Sequence, residues 1–288
     1  MENKLKVLMI GAHPDDCEFS GGGTALKYFE QGHIVKYLST TNGCCGHQTL
    51  SREELISVRQ KEMKAVEDKY GIIYEAWDVN DTELIADLEM RKKMVKSIRE
   101  FNPDIIYTHR TNDYHTDHRN TGLLVQDASY LLIVKSYLPE VQPLRKTPVI
   151  MFFSDKFNNP PFNPNIAIDI TDVIDKKYDS YFCHKSQVFE WLPFASNELH
   201  LVPTDENKRI TWYKTPQVPR NKILSVKKLE KYKNRSDYRD AYYASLYRKL
   251  FSKTYKKKGN KVIFGEVFET SEYGTPLTEE NIKTLFPY

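Results

Sequence analysis

The sequence predicts an α/β protein: a Rossmann-like, mostly parallel sheet with helices on both faces, plus a helical C-terminal extension. Three observations carry that expectation. Short apolar runs alternate with longer polar-apolar stretches through the first 154 residues. Each run ends in turn chemistry, as buried parallel strands do. The 288 residues, 40% hydrophobic and 12% aromatic, suffice for one large core.

The elements follow in order. KVLMIGA (6–12) reads as a buried strand, and Ser20 with three glycines introduces a helix closed by Gly32. IVKYLSTT (34–41) is the next strand, followed by the loop NGCCGH. In SREELISVRQKEMKAVEDKYG, Ser51 caps a helix, Glu54 completes the cap and Gly71 stops it. IIYEAWDV (72–79) is a third strand, and a helix over 84–101 stops before Asn102-Pro103. DIIYTH (104–109) is a fourth strand, RTNDYHTDHR a polar loop, 119–136 a helix and PVIMFFS (148–154) a further strand. Right-handed crossovers then require a parallel sheet.

Beyond Ser154 the rhythm weakens. AIDITDV (167–173) is a strand candidate, 173–190 a helix, 207–258 mainly helical and KVIFGEVFE (261–269) a last strand. The chain divides into a core over 1–190, a Lys/Tyr-rich insertion or extension over 191–260, and a strand and tail over 261–288 that return to the core.

Residues 207–261 carry 18 Lys and Arg against three acidic residues, while the whole chain is only +3. That asymmetry fits a solvated helical face, an anionic partner or a contact between copies of the chain. The segment is expected around the pocket mouth or against a neighbouring subunit, the latter making a homo-oligomer; nucleic acid is not the expected partner. No basic-then-apolar leader opens the sequence and no run of 18 apolar residues occurs, so neither export nor a membrane-spanning helix is expected. The four cysteines have no CxxC spacing, consistent with reduced thiols in the cytoplasm.

Ligands of open parallel sheets sit beyond the carboxyl ends of the strands. His13, Asp15 and Asp16 follow the first strand; His109, Asp113, His115, Asp117 and His118 follow the fourth. Alone, HPDD serves equally as a capping turn, and HTDH is a weak metal signal. Together at one edge they form an imidazole–carboxylate set of the kind that binds zinc or iron through three ligands, leaving a spare carboxylate to take a proton. Spacing does not decide between Asp15 and Asp16, or between His115 and His118. His109 reads as an ordinary core or surface histidine. Cys17 reads as a bystander.

The residues Ala12-His13-Pro14-Asp15-Asp16 and His115-Thr116-Asp117-His118 resemble the two signatures of the PIG-L/LmbE-like zinc-dependent N-deacetylases. Weaker likenesses lie in TNGCCG (41–46), VRQKEMKAV (58–66), HKSQ (184–187) and GEVFE (265–269). The resemblance implies Zn2+, or alternatively Fe2+, bound by His13, Asp16 and His118. It further implies Asp15 as general base, His115 stabilising an oxyanion, Asp117 orienting its neighbours and Arg59 reaching a substrate polar group. The implied reaction removes an acetyl group from a small N-acetylglucosamine-type sugar or glycoconjugate. Two alternatives stand beside it: a metal-dependent hydrolase of another amide or ester, and a non-catalytic binder of anionic partners through 207–261.

Overall fold

The computed structural model describes residues 4–233 and 237–288. Side chains of the first strand, β1 (Lys6–Gly11), alternate between two apolar layers: Val7 and Met9 enter one, Leu8 and Ile10 the other. Both faces of the sheet therefore need cover. Parallel partners flank β1 on each side, β2 (Ile34–Ser39) and β4 (Ile105–Thr108). β3 (Ile73–Ala76) lies outside β2, and β5 (Val149–Phe152) outside β4.

One layer is covered by α1 (Asp16–Glu30), α2 (Arg52–Tyr70) and α5 (Ile174–Tyr181), which contribute Leu26, Val66 and Tyr178. The other is covered by α3 (Leu88–Phe101) and α4 (Thr116–Leu131), with Met94, Ile98, Leu124 and Val125. The Ser51–Glu54 capping box opens α2, and Gly71, in the left-handed region at φ 66°, ends it.

The full order is β3-β2-β1-β4-β5-β7-β6. The last strand, β7 (Gly265–Gly274), inserts between β5 and β6 (Ile166–Asp169) and runs antiparallel to both. It begins later and extends further than its sequence suggests, because both its edges find partners. The expected helix over 173–190 stops at Tyr181, and a π-helical turn occupies Gln187–Trp191. The stretch expected to be mainly helical, 207–258, contains the helices Glu206–Tyr213, Val226–Leu229, Tyr238–Leu246 and Arg248–Tyr255. Pro216 and Pro219, which lack the amide hydrogen a helix needs, fall in the non-helical link after Tyr213. The expected helix at 119–136 begins earlier, at Thr116, so three residues of HTDH lie in its first turn. His115 makes this start: its Nδ1 accepts the Asp117 amide at 3.2 Å.

α1 sits close to the sheet because its glycines allow it. A Cβ on Gly23 would stand 2.8 Å from Ile170, and one on Gly21 3.2 Å from Met9 and Phe153. Glu266 of β7 fixes the helix further, accepting the Gly23 and Thr24 amides at 2.9 and 2.8 Å and the Thr24 hydroxyl at 2.6 Å. Lys177 of α5 neutralises it at 2.8 Å and is itself chelated by Asp240 at 2.8 Å to both oxygens. All three charged side chains are at most 2% exposed, and burial holds the Asp240 carboxyl above its ordinary range.

Removing one member of such a cluster strands the others in a medium that cannot solvate them. Lys177→Met is expected to lower unfolding free energy by about 3–5 kcal/mol in urea titration; a loss below about 1 kcal/mol would show that the charges are not mutually dependent.

Candidate active site

Strand order reverses at β1 and β4, and the loops after these strands carry the polar residues, as a switch-point site requires. After β1 the backbone turns sharply through Asp15, which takes φ 126°, an unusual value for a residue with a side chain. The turn lets Asp16 fold back: its Oδ2 accepts the Ala12 and His13 amides at 2.9 and 2.8 Å. Asp15 itself gives α1 no side-chain cap, so its carboxylate is left for other work.

Three imidazoles meet Asp16 Oδ2. His13 Nδ1 and His118 Nε2 each lie 3.5 Å away, and His109 Nε2 lies 3.2 Å away. Burial opposes ionisation of Asp16, yet His118 and His109 hold its carboxyl well below the usual range. Burial likewise disfavours a charged His13, but hydrogen bonds with Asp117 and Asp16 hold its imidazole well above its ordinary value. The cluster is an anionic cradle that attracts positive charge. Ligands of a tetrahedral zinc at about 2.0–2.1 Å stand roughly 3.4 Å apart, close to both 3.5 Å spacings. Two of the three spacings in the expected set of His13, Asp16 and His118 thus suit a metal, while the three residues together are not among the groups whose ligand atoms all lie within 4.8 Å of one another. Two overlapping trios have potential ligand atoms within 4.8 Å, His13–His115–His118 and Asp16–His109–His118.

Groups behind the cradle orient it. Asp117, fully buried, accepts from His13 Nε2 at 3.1 Å and from the Thr82 amide at 2.7 Å. Asp113 Oδ1 stands 3.0 Å from His118 Nδ1, though off the line of a well-formed hydrogen bond. Both contacts point the opposite ring nitrogens at Asp16. His115 packs edge-on to His13 at 4.5 Å between ring centroids. Because its Nδ1 accepts the Asp117 amide, a neutral His115 carries its proton on Nε2. Burial and the neighbouring His13 keep it below its ordinary pKa.

Asp15 is held differently. Its amide donates to the Tyr74 hydroxyl at 3.0 Å, and its Oδ2 pairs with Arg59 Nη2 at 3.1 Å. Burial lifts the carboxyl to about 6 despite Arg59. Arg59, only 1% exposed, also pairs with Glu62 at 2.8 Å. Tyr74 donates in turn to Glu18 at 3.2 Å, which meets His184 Nε2 at 2.8 Å. Sequence reading named Arg59 and the HKSQ stretch carrying His184 only through the family resemblance, did not single out Tyr74, Glu18 or Glu62, and took His109 for an ordinary core or surface histidine. His109 lies just past β4, at the same sheet edge as the other site residues, and that position was the available signal. Cys17 donates to the Met9 carbonyl at 3.4 Å, and burial pushes its thiol up, so it stays protonated.

These groups open into a cavity of about 740 Å³, a size suited to a small molecule. Its wall includes Tyr114, Lys156, Trp191, Tyr213, Lys233 and Arg239, so the 191–260 segment builds part of it.

A doubly covered sheet with an imidazole–carboxylate cluster at its switch point is an α/β architecture whose site is of a kind that can hold a metal ion. The profile of PIG-L, described as GlcNAc-PI de-N-acetylase, matches residues 8–129. Diacetylchitobiose deacetylase of Thermococcus kodakarensis is 31% identical over 205 residues, spanning 66% of this chain and 74% of the relative. A 4-oxalmesaconate hydratase of Pseudomonas putida is 24% identical over 192 residues, 64% of this chain and 74% of the relative. Among solved structures, N,N'-diacetylchitobiose deacetylase from Pyrococcus horikoshii superposes with a TM-score of 0.63 at 23% identity, covering 93% of this chain and 84% of that one. The chain belongs to the PIG-L family.

Tyr74→Phe would leave the buried Asp15 amide without its acceptor. A stability loss of about 1–3 kcal/mol is expected, read by chemical denaturation, together with a lower kcat; an unchanged stability would mean that the Asp15 turn holds itself.

Proposed function

We propose that the protein is a zinc-dependent N-deacetylase that hydrolyses the acetamide of an N-acetylated amino sugar or its conjugate. The observation that carries this reading is the Asp16-centred cluster flanked by a second carboxylate on Asp15, held by Arg59 and lining the cavity, and a proton-bearing Nε2 on His115. Deacetylation by the Thermococcus relative supports the substrate class. Among the described residues no helix is long and apolar enough to cross a membrane, and the four free cysteines favour a reducing, cytoplasmic compartment.

His13, Asp16 and His118 would hold the metal, zinc before iron. When bound, it supplies a Lewis acid that polarises the acetamide carbonyl and acidifies water. The chain's own groups do the rest. Asp15, with an affinity for protons near neutrality, takes the proton of the attacking water at its carboxylate and returns it to the departing amine. Arg59 keeps that carboxylate aimed while Tyr74 keeps its backbone turned. His115 Nε2 donates to the carbonyl oxygen as negative charge develops there. Asp117 prevents His13 from rotating away from Asp16. The hydratase relative adds water to a different kind of substrate, so acetate is the product to measure.

Acetate release from N-acetylated sugars, run with metal analysis, tests the assignment. Asp15→Asn is expected to retain near-stoichiometric metal while losing about 10²–10⁴-fold in kcat. His118→Ala and Asp16→Asn should lose the metal itself. Near-wild-type turnover in Asp15→Asn, or full metal content in both ligand variants, would defeat the assignment.

A further inference from the structure

β2 and β3 are parallel neighbours, so the loops beyond their carboxyl ends share one edge of the sheet. The first loop carries Cys44 and Cys45, the second Asn80 and Asp81. The two sulfurs lie 3.4 Å apart. Cys44 Sγ donates to Asn80 Oδ1 at 3.6 Å, and Cys45 Sγ to the Asp81 carbonyl at 3.6 Å. Asp81 is 6% exposed, and its two carboxylate oxygens accept the Gly43 and Cys45 amides, each at 2.9 Å. Among the described residues no ion pair engages it.

A buried carboxylate with no cation beside it is costly unless positive charge arrives. One ligand atom from each of Cys44, Cys45 and Asp81 falls within 4.8 Å of the others. Two thiolates on a tetrahedral zinc, each at about 2.3 Å, stand roughly 3.8 Å apart, so the sulfurs need part only slightly to share an ion. Each Asp81 oxygen keeps a lone pair beyond the one its amide uses. The two amides also orient the carboxylate, as groups behind a metal ligand do. A disulfide between the neighbouring cysteines would leave the Asp81 charge unanswered, whereas an ion satisfies all three groups at once.

We propose that Cys44, Cys45 and Asp81 form a second metal site, for a soft divalent ion of the Zn2+ and Cd2+ class, separate from the imidazole–carboxylate cradle. Thiolate donors select such an ion. Binding replaces the two thiol protons, which leave to solvent. Cys45 and Asp81 line the cavity, which gives the ion its way in. The next residue, Thr82, donates its amide to Asp117, the partner of His13. The second ion therefore sits one residue away from a support of the cradle. The proposal does not depend on the deacetylase reading, because none of its three ligands takes part in that chemistry.

Cadmium is the probe, because a bound thiolate gives it an ultraviolet charge-transfer band that imidazole and carboxylate ligands do not. The full chain is stripped with chelator, reduced, and titrated with Cd2+ at micromolar protein in oxygen-free buffer, with bound metal counted by elemental analysis. Two equivalents are expected, one of them accompanied by the band. Cys44→Ser and Cys45→Ser should each abolish the band and one equivalent, and Zn2+ should bleach it by displacement. Asp81→Asn should weaken the band-forming event about tenfold or more. Since that change also loosens the loop its amides hold, Cys45→Ser, at a half-buried position, is the decisive variant. Asp16→Asn should lose an equivalent and keep the band, so failure of the cradle and failure of this site are read separately. Cys183→Ser should change neither. Absence of the band, a band that forms only at millimolar Cd2+, one that survives both Cys44→Ser and Cys45→Ser, or one lost in Cys183→Ser would overturn the proposal.

Discussion

One carboxylate oxygen organises this molecule's chemistry. Asp16 Oδ2 accepts two backbone amides from the end of the first strand and faces three imidazoles, two of them from beyond the fourth strand. Backbone donors fix its position, so the fold itself supplies part of the orientation the cluster needs. The strained Asp15 turn is part of the same arrangement. Turning the chain there is what sends two adjacent aspartates to different tasks, one inward to the imidazoles and the other toward Arg59 and the cavity.

Much of this was legible in the residues because parallel sheets obey a strong rule. Strand ends on one edge converge, so HPDD after β1 and HTDH after β4 had to meet once both strands were recognised. Local signals also read correctly: Ser51 with Glu54, and Gly71, act within a few residues of themselves. The failures share a cause. β7 pairs with strands about a hundred residues or more earlier, and no local pattern encodes its antiparallel insertion. Lys177 looks like any surface lysine of a polar helix, and only its partners at 240 and 266 make it a core residue. The first turn of α4 was read as loop because the cap is a histidine ring, a less common choice than Ser or Asp.

The basic segment illustrates how a net charge conceals several roles. Read as a stripe of lysines, 207–261 suggests a single surface. In the fold its charges are divided. Arg220 is paired with Asp175 and Asp237, Arg239 is fixed in the cavity wall, and Asp240, one of the few acids there, is consumed in the core by Lys177. Tyrosines accompany them on both sides of the wall, with Tyr238 and Tyr243 lining the cavity and also packed into apolar clusters. Part of the cavity wall thus comes from a stretch of chain separate from the loops that follow β1 and β4.

Glu266 reaches across 242 residues to hold the Thr24 amide. The helix that carries Asp16 is therefore braced by β7, the last strand in chain order among the described residues. A chain emerging from the ribosome can form β1, its neighbours and the α1 helix long before that brace exists, and must wait for β7 before the helix is secured against the sheet. Contacts of such separation in sequence slow folding, since loop-closure entropy must be overcome first.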